Sequence, residues 1–312
     1  MKTKILVVAG PTASGKTGLG VALAQRLNGE IVCADSMQIY TGMPIATAAP
    51  TPAERQAAVH HLAEILSPDT PFSVAQYCTL AAKAVADISA RGKVPILVGG
   101  TGLFIDSFVD HIQFADVQTD PSLRRELLAQ DGDTLYRTLQ QADPAAAEGI
   151  HPNNKNRVVR ALELYYAGTT KTRQNATSRL EESPYDALYF VLQYQNRQVL
   201  YDRINTRVDA MVAAGLVQEA QQAYAACGPT ARQAIGHKEL LPYLEGSEPL
   251  DTAVERLKQE TRRYAKRQMT WFKRRQGTVV LEPDTMNTQA LIAAATAQAE
   301  EFLYGKNKKK RA

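Results

Sequence analysis

The chain opens on alternating blocks of continuous apolar and amphipathic sequence. Lys4–Ala9 is a short run of Ile, Leu and Val closed by Gly10 and Pro11, the pattern of a strand buried on both faces of a parallel sheet. Apolar residues then recur at helical spacing through Lys16–Leu27, at Leu19, Leu23 and Leu27. A second strand, Glu30–Ala34, ends at Asp35. An Ala-rich helix is predicted from Ser73, a good N-cap, to Ala90, and a third strand, Val94–Val98, runs into Gly99-Gly100. This alternation predicts an α/β fold with a parallel sheet flanked by helices.

The pattern changes near residue 115. From Asp120 to Ser183 only helical segments are legible, among them Leu123–Gln130, Thr134–Gln141 and Asn156–Ala167. Strands resume at Ala187–Tyr194 and Thr278–Leu281, separated by helices at Arg197–Ala213 and Leu250–Arg274. The expected organisation is one core from 1–114 and 196–305, an all-helical insertion at 115–195, and a disordered basic tail at 306–312.

Composition narrows the class. With 312 residues, 45% hydrophobic and 22% charged, the chain is an ordinary globular sequence, which excludes disorder, collagen-like repeats and coiled-coil rods. Cys33, Cys78 and Cys227 form no CxxC pair, so reduced thiols are expected. No run approaches ~20 apolar residues, so no membrane partner and a cytoplasmic location are expected. The formal charge of +4 rests on the tail: without its five cations, 31 basic side chains face 32 acidic ones. Residues 251–275 instead hold nine cations against three carboxylates, a net +6 in one helix, with Trp271 and Phe272 among them. Such a stripe suits a polyanion, and an aromatic within it can stack on a base. The plainer reading is a solvated helix face with Trp271 in the core.

Gly10-Pro11-Thr12-Ala13-Ser14-Gly15-Lys16-Thr17 matches GxxxxGK[ST], set between strand and helix as that motif requires. Backbone N–H groups and the helix N-terminus would cradle an oxyanion, with Lys16 as a point charge and the Thr17 hydroxyl for a magnesium ion. The companions of GTP or ATP hydrolysis are missing: Asn154-Lys155-Asn156-Arg157 lacks the Asp of a base-reading motif, and Val94–Val98 ends in Gly99-Gly100-Thr101-Gly102 rather than an Asp. Asp35, at a strand end beside the loop, is a candidate general base or metal ligand, or simply a cap. Thr101 offers a hydroxyl near the phosphate, or an N-cap. Arg203 and Arg207, one helical turn apart, suit a diphosphate, or are a surface pair answered by Asp202 and Asp209. His60-His61 cannot both face one metal from a helix and are assigned no role.

Seven segments in order resemble the tRNA dimethylallyltransferase (tRNA isopentenyltransferase) family, bacterial type: GPTASGKT at 10–17, DSMQIY at 35–40, VGGTGL at 98–103, RVVRALE at 157–163, RINTRVD at 203–209, AIGHKEL at 234–240 and YAKRQMTWF at 264–272. The resemblance implies a P-loop NTPase-like fold and transfer of a dimethylallyl group from dimethylallyl diphosphate, with Mg2+, to N6 of the adenosine 3′ of the anticodon. It implies Asp35 as general base, with Thr17, Lys16 and Arg207 holding the diphosphate. Matching tRNA-contacting positions are Asp35, Ser36, Met37 and Gln38, then Thr101, Arg124, Asn156, Arg157, Val158, Val159 and Arg160. Further along they are Arg232, Gly236, His237, Lys266, Arg267, Gln268, Trp271 and Lys273. The insertion would clamp the anticodon arm, and a monomer is expected. The chain departs from the family at 43–49, MPIATAA where MDIGTAK is usual, and at His237, where Tyr is usual. Alternatives are a prenyltransferase acting on free adenine nucleotides, a small-molecule kinase, and a non-catalytic RNA-binding protein.

Overall fold

A computed structural model of the chain describes residues 2–114, 120–179 and 181–308. Six strands form one sheet: β1 (Thr3–Ala9), β2 (Gly29–Cys33), β3 (His60–His61), β4 (Val94–Gly99), β5 (Tyr185–Leu192) and β6 (Val279–Leu281). Their order is β3-β2-β4-β1-β5-β6, with every pairing parallel. This is the parallel α/β sheet that strand–helix alternation predicts, in the P-loop NTPase-like form that the resemblance implies. The central β1 pairs Leu6 with Ile96 on one side and with Leu188 on the other.

Because side chains alternate across a strand, β1 feeds two separate cores. Ile5, Val7 and Ala9 pack with the helices Val74–Ala90 and Gly102–Val109, while Leu6 and Val8 pack with Lys16–Leu27 and Thr288–Lys308. Ser73 caps its helix as expected, accepting from the Gln76 N–H while the Gln76 side chain answers the Ser73 N–H.

The edge strand β3 has no periodicity to betray it, being two residues long. His60 and His61 therefore lie on a strand and not on a helix. His61 Nε2 meets the buried Glu30 carboxylate at 2.7 Å, which also takes Arg91 at 2.5 and 2.7 Å and Lys93 at 2.6 Å. That set, led by the Arg91 bonds, holds the Glu30 carboxyl well below its usual range and pins the starts of β2, β3 and β4 together.

Residues Asp110–Ser183 form a second compact unit. Helices Pro121–Ala129, Gly132–Ala142, Pro144–Glu148, Lys155–Tyr166 and Lys171–Thr177 enclose their own core of Leu127, Leu135, Leu139, Val158, Val159 and Leu162. The unit closes at Ser183, not at 195, because Tyr185–Leu192 is claimed by the sheet as the neighbour of β1. The helix Thr288–Lys308 carries the first three residues of the expected disordered tail, and residues 309–312 lie outside the described residues. Among the described residues no helix is long and apolar enough to cross a membrane.

Candidate active site

The site grows from the carboxyl ends of β1, β2 and β4. Gly10 turns the chain at φ 146°, where an added Cβ would lie 2.7 Å from the Leu192 carbonyl oxygen. Gly15, at φ 94°, starts the Lys16–Leu27 helix with no side-chain cap, so the first N–H groups stay open toward the loop. The Ser14 hydroxyl is buried with no hydrogen-bond partner among the described residues. Lys16 Nζ folds back 2.6 Å from the Pro11 carbonyl. Burial, against the opposing pull of Asp35, lowers its ammonium to about 8. An anion in the loop would satisfy both the Ser14 hydroxyl and this buried cation.

Asp35 follows β2 after one residue, Ala34. Its Oδ1 accepts the Met37 N–H at 2.9 Å, an Asx turn that caps no helix and leaves the carboxylate on the loop side. Its charge acts on both Lys16 and Arg207. Thr101 sits where an N-cap would, but its Oγ1 accepts the Ser36 N–H at 3.0 Å and so ties the β4 end to the Asp35 turn. Arg203 is exposed and Arg207 is half-buried. Arg203 Nε donates to the Ala13 carbonyl at 3.1 Å, and Arg207 lines the cavity in front of Asp35. Burial lowers the Arg207 pKa without removing its charge. The neighbouring acids are occupied elsewhere: Asp202 accepts from Gln198 and Asp209 pairs with Lys258, both at 2.8 Å.

These groups line one cavity of about 1140 Å³, in which Thr17, Lys16, Asp35 and Arg207 face apolar Ile45, Met211 and Leu216. The Pro44–Thr47 turn forms part of the wall and is held by a residue that motif reading overlooked. Glu219 accepts the Ile45 N–H at 2.7 Å and the Ala46 N–H at 2.9 Å, and meets His237 Nε2 at 2.9 Å. Gln38 holds the same wall, donating to the Thr47 and Ala48 carbonyls while accepting from the Cys33 thiol.

Several positions that the resemblance assigns to RNA contact are enclosed by protein. His237 is fully buried on Glu219, and Gly236 is buried. Val158 and Val159 belong to the core of the helical unit, whose surface at that stretch is Asn156 and Arg157. Arg124 and Arg160, partly exposed, share the buried Glu163 carboxylate at 2.9 and 3.2 Å. Arg232 is exposed and lies over the Tyr224 ring.

The basic helix, Leu250–Phe272, separates its residues by face. Three of its earlier cations are answered by acids, Arg256 by Glu248, Lys258 by Asp209 and Glu255, Arg263 by Glu260, while Arg262 donates to the Asn205 amide oxygen. Lys266, Arg267, Lys273 and Arg274 are exposed, with no acidic partner among the described residues. Inward, at i, i+4 and i+7, point Tyr264, Gln268 and Trp271. Gln268 is buried with both ends of its amide bonded. The Trp271 indole donates to Asp106 at 2.6 Å and packs on Gly102, whose Cβ would meet the ring at 2.3 Å. Uncharged positions at helical spacing inside a charged helix were the available signal for Tyr264.

The family model described as "IPP transferase" matches residues 38–275. A tRNA dimethylallyltransferase of Exiguobacterium sp. is 48% identical over 87% of this chain and 88% of its own length. That of Geobacillus kaustophilus is 42% identical over 98% of each. The crystal structure of the full-length tRNA isopentenylpyrophosphate transferase of Bacillus halodurans superposes with a TM-score of 0.73 at 38% identity, covering 100% of both chains. A eukaryotic dimethylallyltransferase, captured acting on tRNA, superposes with a TM-score of 0.82 at 31% identity, covering 97% of this chain and 80% of that one.

Proposed function

This chain belongs to the IPP transferase family, the tRNA dimethylallyltransferases, and from that membership we propose how its own residues carry out the transfer. The donor is dimethylallyl diphosphate, and the acceptor is N6 of the adenosine immediately 3′ of the anticodon. The observation that carries the reading is that Asp35, Lys16 and Arg207 line one cavity with the open end of the phosphate loop. A carboxylate for a departing proton and cations for a departing diphosphate thus share one chamber.

The exocyclic N6 is a poor nucleophile because its lone pair is delocalised into the purine. The allylic C1–O bond ionises readily once the leaving charge is neutralised, so electrostatic stabilisation is the largest contribution. Lys16, the loop N–H groups and Arg207 hold the diphosphate, with Arg203 bracing the loop at Ala13. As the N6–C1 bond forms and the C1–O bond breaks, the electron pair of that bond leaves on the diphosphate. The N6 proton passes to the Asp35 carboxylate. The apolar wall at Ile45, Met211 and Leu216 suits the five-carbon chain. The adenosine must leave its stack to enter, at a cost of a few kcal/mol.

The donor set fits a magnesium ion: the Thr17 hydroxyl is a hard oxygen ligand beside the anion cradle. Thr17 would hold such an ion, which would supply further positive charge against the diphosphate. The exposed cations Lys266, Arg267, Lys273 and Arg274 suit the RNA backbone.

Mass spectrometry of tRNA incubated with the protein, magnesium and dimethylallyl diphosphate tests the activity: the adenosine gains one dimethylallyl group. The Asp35→Asn variant is expected to lose about 10²–10⁴-fold in transfer rate while still binding an anticodon stem-loop. An unchanged rate would remove Asp35 from the role of base.

A further inference from the structure

Gln268 lies on a helix whose outer face is cationic, yet it is only 5% exposed, at the cavity wall, and both ends of its amide are bonded to protein. Its Oε1 accepts the Thr12 N–H of the phosphate loop at 2.8 Å. Its Nε2 donates to the Gly100 carbonyl at 2.9 Å. One partner is a donor and the other an acceptor, so the amide can sit only one way round. Gly100 is shaped to this contact: a Cβ there would lie 2.2 Å from Nε2. Two segments 88 residues apart in sequence, Thr12 and Gly100, are therefore joined through one side chain more than 160 residues further on.

The linkage continues to the base. The Thr101 hydroxyl, next to Gly100, accepts the Ser36 N–H, and Ser36 follows Asp35. The Tyr264 phenol, one turn before Gln268, is half-buried against Thr101 and Gln268, and that burial raises its pKa. Trp271, seated on Gly102 and bonded to Asp106, fixes the rotation of the helix that delivers both side chains. Leaving-group site and base thus share a continuous chain of contacts: phosphate loop, Gln268, Gly100-Thr101, Ser36, Asp35.

We propose that Gln268 is a positioning residue for the transfer, setting the phosphate loop against the Asp35 turn, and that it makes no contact with the RNA. The inference rests on the prenyl-transfer reading above. Its physical basis is that a misplacement of about 1 Å between reacting groups costs about 10²-fold in rate. An amide bridging the two halves of the site removes that freedom. Gln268→Met keeps the volume and removes both bonds. Gln268→Glu keeps the acceptor for Thr12 but loses the donor for Gly100. Tyr264→Phe removes only the phenol hydroxyl.

The test measures single-turnover transfer from dimethylallyl diphosphate to an anticodon stem-loop, stem-loop affinity, and thermal melting of each full-length variant. Gln268→Met is expected to lose about 10²-fold in single-turnover rate with stem-loop Kd within about twofold of the parent. Tyr264→Phe, the gentler change, is expected to lose about tenfold with Kd again unmoved, and it decides the matter if Gln268→Met does not fold. Parent-like rates in folded Gln268→Met and Tyr264→Phe would overturn the proposal. So would a tenfold weaker stem-loop Kd with an unchanged rate at saturation, which would make Gln268 an RNA contact. No transfer by the parent protein would instead refute the underlying reading. In that event the inference is judged by calorimetry with inorganic pyrophosphate, whose binding Gln268→Met should weaken.

Discussion

Lys16 is a cation held where a cation is costly, and its behaviour with pH follows from that. Burial lowers its pKa from 10.5 to about 8, so in the free protein the ammonium is lost as pH rises through about 8. The diphosphate cradle then loses one positive charge. The kcat/KM for dimethylallyl diphosphate is expected to fall on that alkaline side, with kcat less affected because the negative charge of the bound diphosphate holds the proton on Lys16. Initial rates at subsaturating donor across the alkaline range check this. Folding carries the opposite sign. Between about 8 and 10.5 the unfolded chain holds a proton that the folded chain has released, so stability rises with pH through that window. Lys16, Thr17 and Asp35 were legible in the sequence because their partners are local: a loop, a helix start and a strand end. Gln268, Glu219 and His237 were not. Their roles are set by partners remote in the chain, such as Thr12 for Gln268, and no pattern along the chain encodes such a meeting.

At the scale of elements, the two glycines where β4 ends, Gly99 within it and Gly100 just past it, separate strand packing from helix packing. An added Cβ at Gly99 would lie 2.0 Å from the Ala34 carbonyl oxygen, which is backbone at the end of β2 and cannot swing aside. At Gly100 the obstacle is the tip of the Gln268 side chain, which can. Gly99→Ala is therefore expected to cost about 3 kcal/mol or more and Gly100→Ala about 1 kcal/mol. Thermal melts should rank them in that order, with prenyl transfer impaired in Gly100→Ala while its fold is kept. The long elements were readable because each repeats its signal: Arg197–Ala213 matches the expected helix end to end, and β1 differs by one residue. The two-residue β3 and the four-residue Pro44–Thr47 turn repeat nothing. They exist because β2 and Glu219 hold them.

Over the whole molecule, charge is informative by place rather than by sum. The +6 stretch at 251–275 is partly neutralised by its own surroundings, while Lys266, Arg267, Lys273 and Arg274 are exposed with no acidic partner among the described residues. Replacing Lys266, Arg267, Lys273 and Arg274 by Ala should flatten the slope of log affinity against log salt for the stem-loop by about 3, at ~0.7 per phosphate contact. The same replacement of Arg256, Lys258 and Arg263 should leave the slope unchanged, because those charges are already answered by acids. Binding titrations at several salt concentrations separate the two sets. Sequence counting could not make this division, since Glu248 and Asp209, which answer two of the cations, lie outside the 251–275 stretch.

The strand order also sets a schedule for the nascent chain. The phosphate-loop strand β1 is among the first segments synthesised, but it lies between β4 and β5, whose residues 94–99 and 185–192 come far later. Until β5 emerges, β1 has a bare edge of apolar sequence, open to mispairing. Meanwhile the helical unit, with its own core, can close on local contacts, which form quickly. The clasp through Gln268 is added after the first five strands, so a ribosome stalled between β5 and residue 268 carries a sheet lacking only the edge strand β6, whose reactive groups are not yet held in register.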